Sequence, residues 1–144
     1  WGILILFGGG LALANGMTQS GLVDLVSTSI QQQQWPVIGT VVVLIALMLF
    51  LTELMSNVAL VAVLAPVVAG IALGLDIPII HLLIPVTIAS SCAFMLPMAT
   101  PPNAIVFASG YIEVKDMVRA GIWLNLISVG LLTAVYQWVI PWLF

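Results

Sequence analysis

Two short clusters carry the polar side chains that could do chemistry in this otherwise apolar sequence. The first runs from Thr52 to Asn57 and supplies two hydroxyls, a carboxylate and an amide. The second runs from Pro97 to Asn103, holds three prolines and ends in another amide. Oxygen ligands coordinate small cations, and the positive N-terminal end of a helix attracts anionic groups. The clusters therefore predict ion binding rather than bond-breaking chemistry.

The composition indicates that both clusters lie in a membrane. Of the 144 residues, 63% are hydrophobic and 5% are charged, with two Lys or Arg against five Asp or Glu. Ordinary globular domains carry about 25% charged residues, so this chain has too few to cover a surface that faces water. Two basic residues cannot form a nucleic-acid-binding patch. We therefore expect an integral membrane protein of the cell (inner) membrane that binds the lipid bilayer and no nucleic acid.

The stretches between the charged residues predict helices that cross the membrane. Charged residues are absent from 1–23, 25–52, 54–75, 77–112 and 120–144. Crossing the hydrocarbon core takes about 20 apolar helical residues, and these stretches lack the strict alternation of a barrel strand. We expect an all-α membrane protein with a transmembrane helix and connecting segment over 1–30 and a C-terminal transmembrane helix over 120–144. Because no nucleophile–base pair or metal-ligand cluster is present, an enzyme is not expected.

The stretch 37–73 fits a re-entrant helical hairpin better than a single helix. One continuous helix would be about 55 Å long, whereas the hydrocarbon core is about 30 Å thick. The polar cluster divides the stretch into two legs of 16 residues, 37–52 and 58–73. Each leg would be about 24 Å long, which is short for a crossing. We therefore predict a hairpin over 37–73 with its tip at 52–58.

The stretch 79–110 is also too long for one straight helix, and its prolines predict a break. Proline removes a backbone donor, clashes with the preceding turn and restricts the residue before it. We predict a discontinuous transmembrane helix over 79–110, with a first half-helix to 97, an unwound segment at 98–102 and a second half-helix from 103. Unwound backbone at membrane depth is tolerated only when it is buried in protein or lines a wet cavity. A hairpin tip and a broken helix together are typical of the ion sites of secondary transporters.

The motifs at the two breaks resemble those of one transporter family. They are Ser56-Asn57-Val58-Ala59, preceded by Thr52-Glu53, and the run Ala-Thr-Pro-Pro-Asn-Ala-Ile-Val-Phe from Ala99 to Phe107. Together with Phe7-Gly8-Gly9-Gly10, they follow the order of the C-terminal half of the divalent anion:sodium symporter family, the dicarboxylate, citrate and sulfate transporters. The resemblance covers essentially all 144 residues. It implies one inverted repeat of a secondary transporter, with the full-length protein forming a homodimer through a separate scaffold part.

The resemblance implies sodium-coupled symport of divalent anions, either C4-dicarboxylate, citrate-like anions or sulfate, by alternating access. Sodium ion would be the coupled cation. Two alternatives stay open: a sodium-independent dicarboxylate exchanger, and a non-transporting membrane subunit whose polar tip packs against a partner. The N-terminal repeat with the family's other tip is missing from this sequence, so we expect the chain to hold half of a binding site.

Carried over position by position, the family's C-terminal sodium site corresponds to oxygen atoms of Thr52, Met55, Asn57 and Ala99. The substrate-binding residues would be Asn57, Val58, Thr100 and Pro101. The family usually has Thr where this chain has Val58, so one hydrogen bond worth about 0.5–1.5 kcal/mol is lost. This departure leaves the identity of the anion open.

Three further residues are expected to support the site. For Glu53, a structural hydrogen bond that braces the tip is favoured over direct ligation of the ion. Ser56 either contacts the ligand or bonds back to a carbonyl of the preceding turn. Asn103 either binds the ligand or satisfies backbone groups that the break sets free.

Overall fold

The computed structural model describes residues 36–143 continuously and, before them, only positions 5, 8, 9, 12, 16, 19–22, 24, 25, 28 and 29. The helix predicted over 1–30 therefore falls largely outside the described residues. All regular structure between 36 and 143 is helical, which confirms the predicted all-α class for this part of the chain. Its helices are α1 (Val37–Thr52), α2 (Asn57–Gly74), α3 (Ile79–Ala89), α4 (Pro101–Ala108), α5 (Val114–Ala134), a π-helical turn (Val135–Val139) and α6 (Ile140–Leu143).

Helix α3 lies at the centre of the packing. Helix α2 packs mainly against α3, whereas α1 packs against both α3 and α5 and touches α2 only slightly. The shared core is apolar and includes Ile45 and Leu49 of α1, Leu82 and Val86 of α3, and Leu132 of α5. None of the residues of α4 is buried. The tip between α1 and α2 and the break between α3 and α4 are therefore held by a common helical core.

Within residues 36–143, two helical stretches are long and apolar enough to cross a membrane. They are Asn57–Gly74 and the continuous run Val114–Leu143, whereas α1 and α3 are shorter apolar helices of 16 and 11 residues. At a rise of about 1.5 Å per residue, α1 spans about 24 Å and α3 about 17 Å. Both are shorter than the hydrocarbon core of about 30 Å. Helix α1 ends at the polar tip, and α3 ends at the break.

The break after α3 begins earlier than the sequence predicts. Helix α3 ends at Ala89 instead of 97, the non-helical segment covers 90–100 instead of 98–102, and α4 begins at Pro101 instead of 103. Prolines suit the first turn of a helix because their fixed φ matches it and no N–H is needed there. The early end of α3 has a tertiary cause: main-chain N–H groups of residues 94–96 bond to Glu53 rather than to a preceding helical turn.

The C-terminal helix also begins earlier, at Val114 instead of 120. Glu113 and Asp116 form a reciprocal capping box there, so charged residues that suggested a loop make up the first turn. Near its end the helix widens into the π-helical turn Val135–Val139. The ring of Pro141 would clash with the carbonyl four residues earlier, at Gln137, in a regular α-helix. The wider turn lets the chain continue as α6.

Candidate binding site

Three oxygen atoms converge where α1 ends. The hydroxyl oxygen of Thr52, which is fully buried, lies 2.6 Å from the amide Oδ1 of Asn57 and 2.5 Å from the main-chain oxygen of Ser90. A hydroxyl has one hydrogen to donate, so it serves only one of these acceptors at a time. The cluster therefore keeps unused lone pairs on oxygen, which is the ligand type that sodium takes in transporters.

A cavity of about 460 Å³ lies between the tip and the break. All four predicted substrate-binding residues line it: Asn57, Val58, Thr100 and Pro101. Met55 and Ala99 of the predicted sodium site and Ser56 of the supporting set line it as well. Thr52, Glu53 and Asn103 do not, although the hydroxyl of Thr52 is bonded to Asn57. Asn57 is thus the residue that connects the oxygen cluster to the cavity.

Two helix N-termini open into this cavity, because Asn57 is the first residue of α2 and Pro101 is the first residue of α4. Ser56 makes no side-chain cap on α2, whereas the hydroxyl of Thr100 accepts the N–H of Asn103 at 3.4 Å. Helix N-termini stabilise a nearby negative charge by about 0.3–1 kcal/mol each. The cavity can therefore attract an anion although neither Lys115 nor Arg119 lines it.

A second cavity of about 460 Å³ adjoins the first along α2. Asn57 and Val58 line both cavities, and most of the other residues around the second one are apolar or small, such as Val61, Ala62 and Ala65. Its polar lining comes from the end of α3 and the start of the break, at Thr87, Ser90 and Ser91. The region near Asn57 therefore combines a polar space with an apolar one.

The carboxylate of Glu53 is 3% exposed and holds the unwound backbone. Its Oε1 accepts the N–H of Phe94 at 2.8 Å and that of Met95 at 2.9 Å, and its Oε2 accepts the N–H of Leu96 at 3.0 Å. Oε1 also accepts the amide Nδ2 of Asn125 at 3.0 Å. With these donors in place, the carboxylate joins the tip, the break and α5, which favours the bracing role over ligation of an ion.

Asn103 donates hydrogen bonds to carbonyl groups of the same segment. Its Nδ2 donates to the main-chain oxygen of Ala93 at 3.0 Å and to that of Leu96 at 3.1 Å. Both hydrogens of the amide are thereby used within the break. This geometry favours the interpretation that Asn103 satisfies freed backbone groups rather than donating to a ligand.

The sequence reasoning missed two groups, the carbonyl of Ser90 and the side chain of Asn125. Asn125 is fully buried and lies in an otherwise apolar part of α5. A lone amide inside an apolar helix is itself a signal, because polar side chains within membranes usually join helices or mark a pathway. Ser90 could be suspected from the Ser90-Ser91 pair that interrupts an apolar stretch.

Two interrupted apolar elements, an oxygen cluster and a cavity between helix N-termini are features typical of secondary transporters. Comparison with known proteins identifies the family. A family profile for the sodium:sulfate symporter transmembrane region matches residues 1–144. The chain belongs to this family, which confirms the resemblance to the divalent anion:sodium symporter family at the tip and the break.

The curated relatives agree with this assignment. Sodium-dependent dicarboxylate transporter SdcS of Staphylococcus saprophyticus is 40% identical over 143 residues, which cover 98% of this chain and 27% of the relative. Solute carrier family 13 member 2 of Rattus norvegicus is 44% identical over 143 residues, which cover 98% and 24%. An uncharacterized transporter of Haemophilus influenzae is 47% identical over 133 residues, which cover 90% and 28%. The chain thus spans about a quarter of the length of these relatives.

Proposed function

We propose that this chain belongs to the C-terminal transport half of a sodium-coupled divalent-anion symporter of the cell (inner) membrane. One observation carries the proposal: the polar tip of one interrupted element and the break of another line the same cavity. The names of relatives such as SdcS favour a dicarboxylate over sulfate as the transported anion. The N-terminal repeat supplies the other half of the site, and the full-length protein is a homodimer that works by alternating access.

Sodium binds first in this proposal, at the oxygen cluster beside the tip. The hydroxyl of Thr52, the amide oxygen of Asn57 and the carbonyl of Ser90 already converge, and Met55 and Ala99 supply main-chain oxygens at the adjoining cavity. A dianion has no Lys or Arg to meet in this cavity. The bound cation therefore provides the positive charge that makes entry of the anion favourable.

The anion then binds at the uncapped start of α2. One carboxylate contacts the side chain of Asn57 and the N–H groups of the first turn, and the backbone at Thr100 and Pro101 closes the opposite side of the cavity. Val58 presents methyl groups where most of the family has a hydroxyl. Charge complementarity from two helix N-termini, rather than ion pairs, thus holds the substrate.

The short helices suit the re-entrant arrangement. Helix α1, at about 24 Å, brings the tip part-way through a core of about 30 Å. The 18 residues of α2 are close to the minimum for a full crossing. Because α1 is too short for a full crossing, we propose the re-entrant hairpin over 37–73 as the arrangement of these two helices in the membrane.

Replacement of Asn57 tests the proposal, because this residue belongs to both the oxygen cluster and the cavity. Asn57→Ala removes a sodium ligand and a substrate contact, and we expect sodium-driven succinate uptake to fall at least about 100-fold. The measurement is uptake into proteoliposomes that contain the full-length transporter to which this segment belongs. Gln137→Ala, which removes an exposed amide from the π-helical turn, is the matched control and should transport normally.

The same assay separates the alternatives. Uptake that needs internal dicarboxylate but no sodium gradient would make the protein an exchanger. Normal sodium-dependent uptake by Asn57→Ala would refute the site assignment. A wild-type protein that neither transports nor binds sodium or dicarboxylates would indicate a non-transporting subunit.

A further inference from the structure

One face of the C-terminal helix is turned towards the break. The buried residues of α5 are Met117, Gly121, Asn125 and Leu132, and their spacing places them along one side of the helix. Gly121 and Asn125 are one turn apart on this face. Both contact the region around residues 94 and 95, one directly and the other through Glu53.

Gly121 lets the backbone of α5 lie directly against the backbone of the break. A Cβ atom at this position would lie 2.6 Å from the Cα of Met95 and 2.7 Å from the main-chain oxygen of Phe94. Such distances are shorter than van der Waals contact, and two of the three obstructing atoms belong to the backbone, the third being the Cγ of Met95 at 2.7 Å. Any larger residue at 121 would therefore displace the break segment.

Asn125 reaches the same segment through the carboxylate of Glu53. Its Nδ2 donates to Oε1 of Glu53, the oxygen that also accepts the N–H groups of Phe94 and Met95. Among the described residues, its own Oδ1 is buried without a hydrogen-bond partner. A buried amide that leaves its acceptor unsatisfied is costly, and the hydrogen bond from its donor to the charged Glu53 offsets this cost.

A short chain of hydrogen bonds connects this contact to the predicted sodium site. Glu53 accepts the N–H of Leu96, and the carbonyl of Leu96 accepts the N–H of Ala99 at 3.2 Å. Ala99 lines the cavity opposite the tip. On the other side, Glu53 directly follows Thr52, whose hydroxyl belongs to the oxygen cluster. The position of Glu53 therefore affects both sides of the site.

We propose that Gly121 and Asn125 of the C-terminal helix are positioning residues for sodium binding. They fix the break segment and the carboxylate of Glu53 so that Ala99 and Thr52 face one another across the site. The C-terminal helix then belongs to the same framework as the break. This inference rests on the proposed function, because it assigns these residues an effect on the affinity for sodium.

Asn125→Leu tests the proposal in the full-length transporter. Leu has a similar size, and the substitution removes the unsatisfied Oδ1 together with the donor, so the folded protein should keep its thermal unfolding temperature. We expect the sodium concentration for half-maximal succinate uptake to rise about tenfold, as loss of a hydrogen bond to a charged group implies. The maximal rate at saturating sodium should stay within about twofold, because the residue touches neither ion nor anion.

Two further variants make the result specific. Thr133→Val is the matched control: it removes a hydroxyl from α5 that bonds only to Val129 of its own helix, so sodium dependence should be unchanged. Gly121→Ala should raise the half-maximal sodium concentration in the same direction as Asn125→Leu, since it displaces Met95. Maleimide labelling of Cys92, which lies in the break, provides an independent readout. The extent of labelling is measured by mass spectrometry at increasing sodium concentration.

The outcomes separate this inference from the proposed function. A wild-type protein whose uptake and Cys92 labelling both ignore sodium would overturn the proposed function. A wild-type protein that responds to sodium, with Asn125→Leu and Gly121→Ala responding equally well, would overturn the positioning role alone. A lowered maximal rate or unfolding temperature without a change in sodium affinity would assign both residues to packing and would also refute the proposal.

Discussion

The tip and the break, although both interrupt apolar helices, satisfy their main-chain groups in opposite ways. At the tip, residues 53–56 separate α1 from α2, and the start of α2 has no side-chain cap. In the break, residues 90–100 are non-helical, and side chains from the tip and from α4 bind the N–H and C=O groups of residues 93–96. The comparison suggests that the break is a fixed framework and that the tip is the part that responds to a ligand.

The difference follows from the environment. A short tip leaves few polar groups without partners, and these groups are available to bind a sodium ion or an anion. A long non-helical segment in a membrane would leave many, each costing about 1–3 kcal/mol if buried without a partner. Glu53 and Asn103 provide these partners from within the chain, so the break needs no ligand in order to keep its shape.

The largest effect is expected from removing the brace. Glu53→Ala leaves the N–H groups of residues 94–96 without their acceptor, which should lower the free energy of unfolding by about 3 kcal/mol or more. The measurement is thermal or denaturant unfolding of the purified full-length transporter in detergent. Glu113→Ala is the control, since it removes an exposed carboxylate and a helix cap and should cost only about 1 kcal/mol. Equal losses for the two variants would show that the break does not depend on Glu53.

The sequence predicts both interruptions but only part of the second. Prolines and helix lengths are local signals, and they place a tip near Ser56 and Asn57 and a break at 98–102. The unwinding of 90–96 has no such strong local signal, because the segment contains no proline and, after Ser90 and Ser91, is apolar. Its cause is tertiary: acceptors on Glu53 and the close approach at Gly121 come from elsewhere in the chain.

The site residues remain a prediction, but the structure brings most of them to one cavity. The family motifs identify the residues that line the cavity, from Met55 to Val58 and from Ala99 to Pro101. They do not identify the carbonyl of Ser90, because any residue type offers that oxygen. Asn125 is separated from Glu53 by 72 positions, so their hydrogen bond cannot be derived from spacing along the chain.

A smaller loss of stability is expected from replacing Asn103, the second side chain that holds the break. Asn103→Leu removes two hydrogen bonds, to the carbonyls of Ala93 and Leu96, and should lower the free energy of unfolding by about 2 kcal/mol. If the break is framework, substrate affinity at saturating sodium should change little in the molecules that remain folded. Unfolding curves and succinate titrations on the same preparation measure both quantities, with Gln137→Leu as the amide control. A large loss of affinity at unchanged stability would instead make Asn103 a ligand.

The smallest change in stability is expected at the tip. Replacing an N-cap Ser that bonds to its helix by Ala lowers the free energy of unfolding by about 1 kcal/mol. Ser56 makes no such bond to α2, so Ser56→Ala should change the free energy of unfolding by less than about 0.5 kcal/mol. Substrate titrations then distinguish the two roles of its hydroxyl: weaker binding at unchanged stability indicates contact with the anion, and unchanged binding indicates that the hydroxyl serves the backbone. A loss near 1 kcal/mol would contradict the comparison. The hydroxyl of Ser56 would then satisfy N–H groups at the start of α2, so main-chain groups at the tip would have side-chain partners as those of the break do.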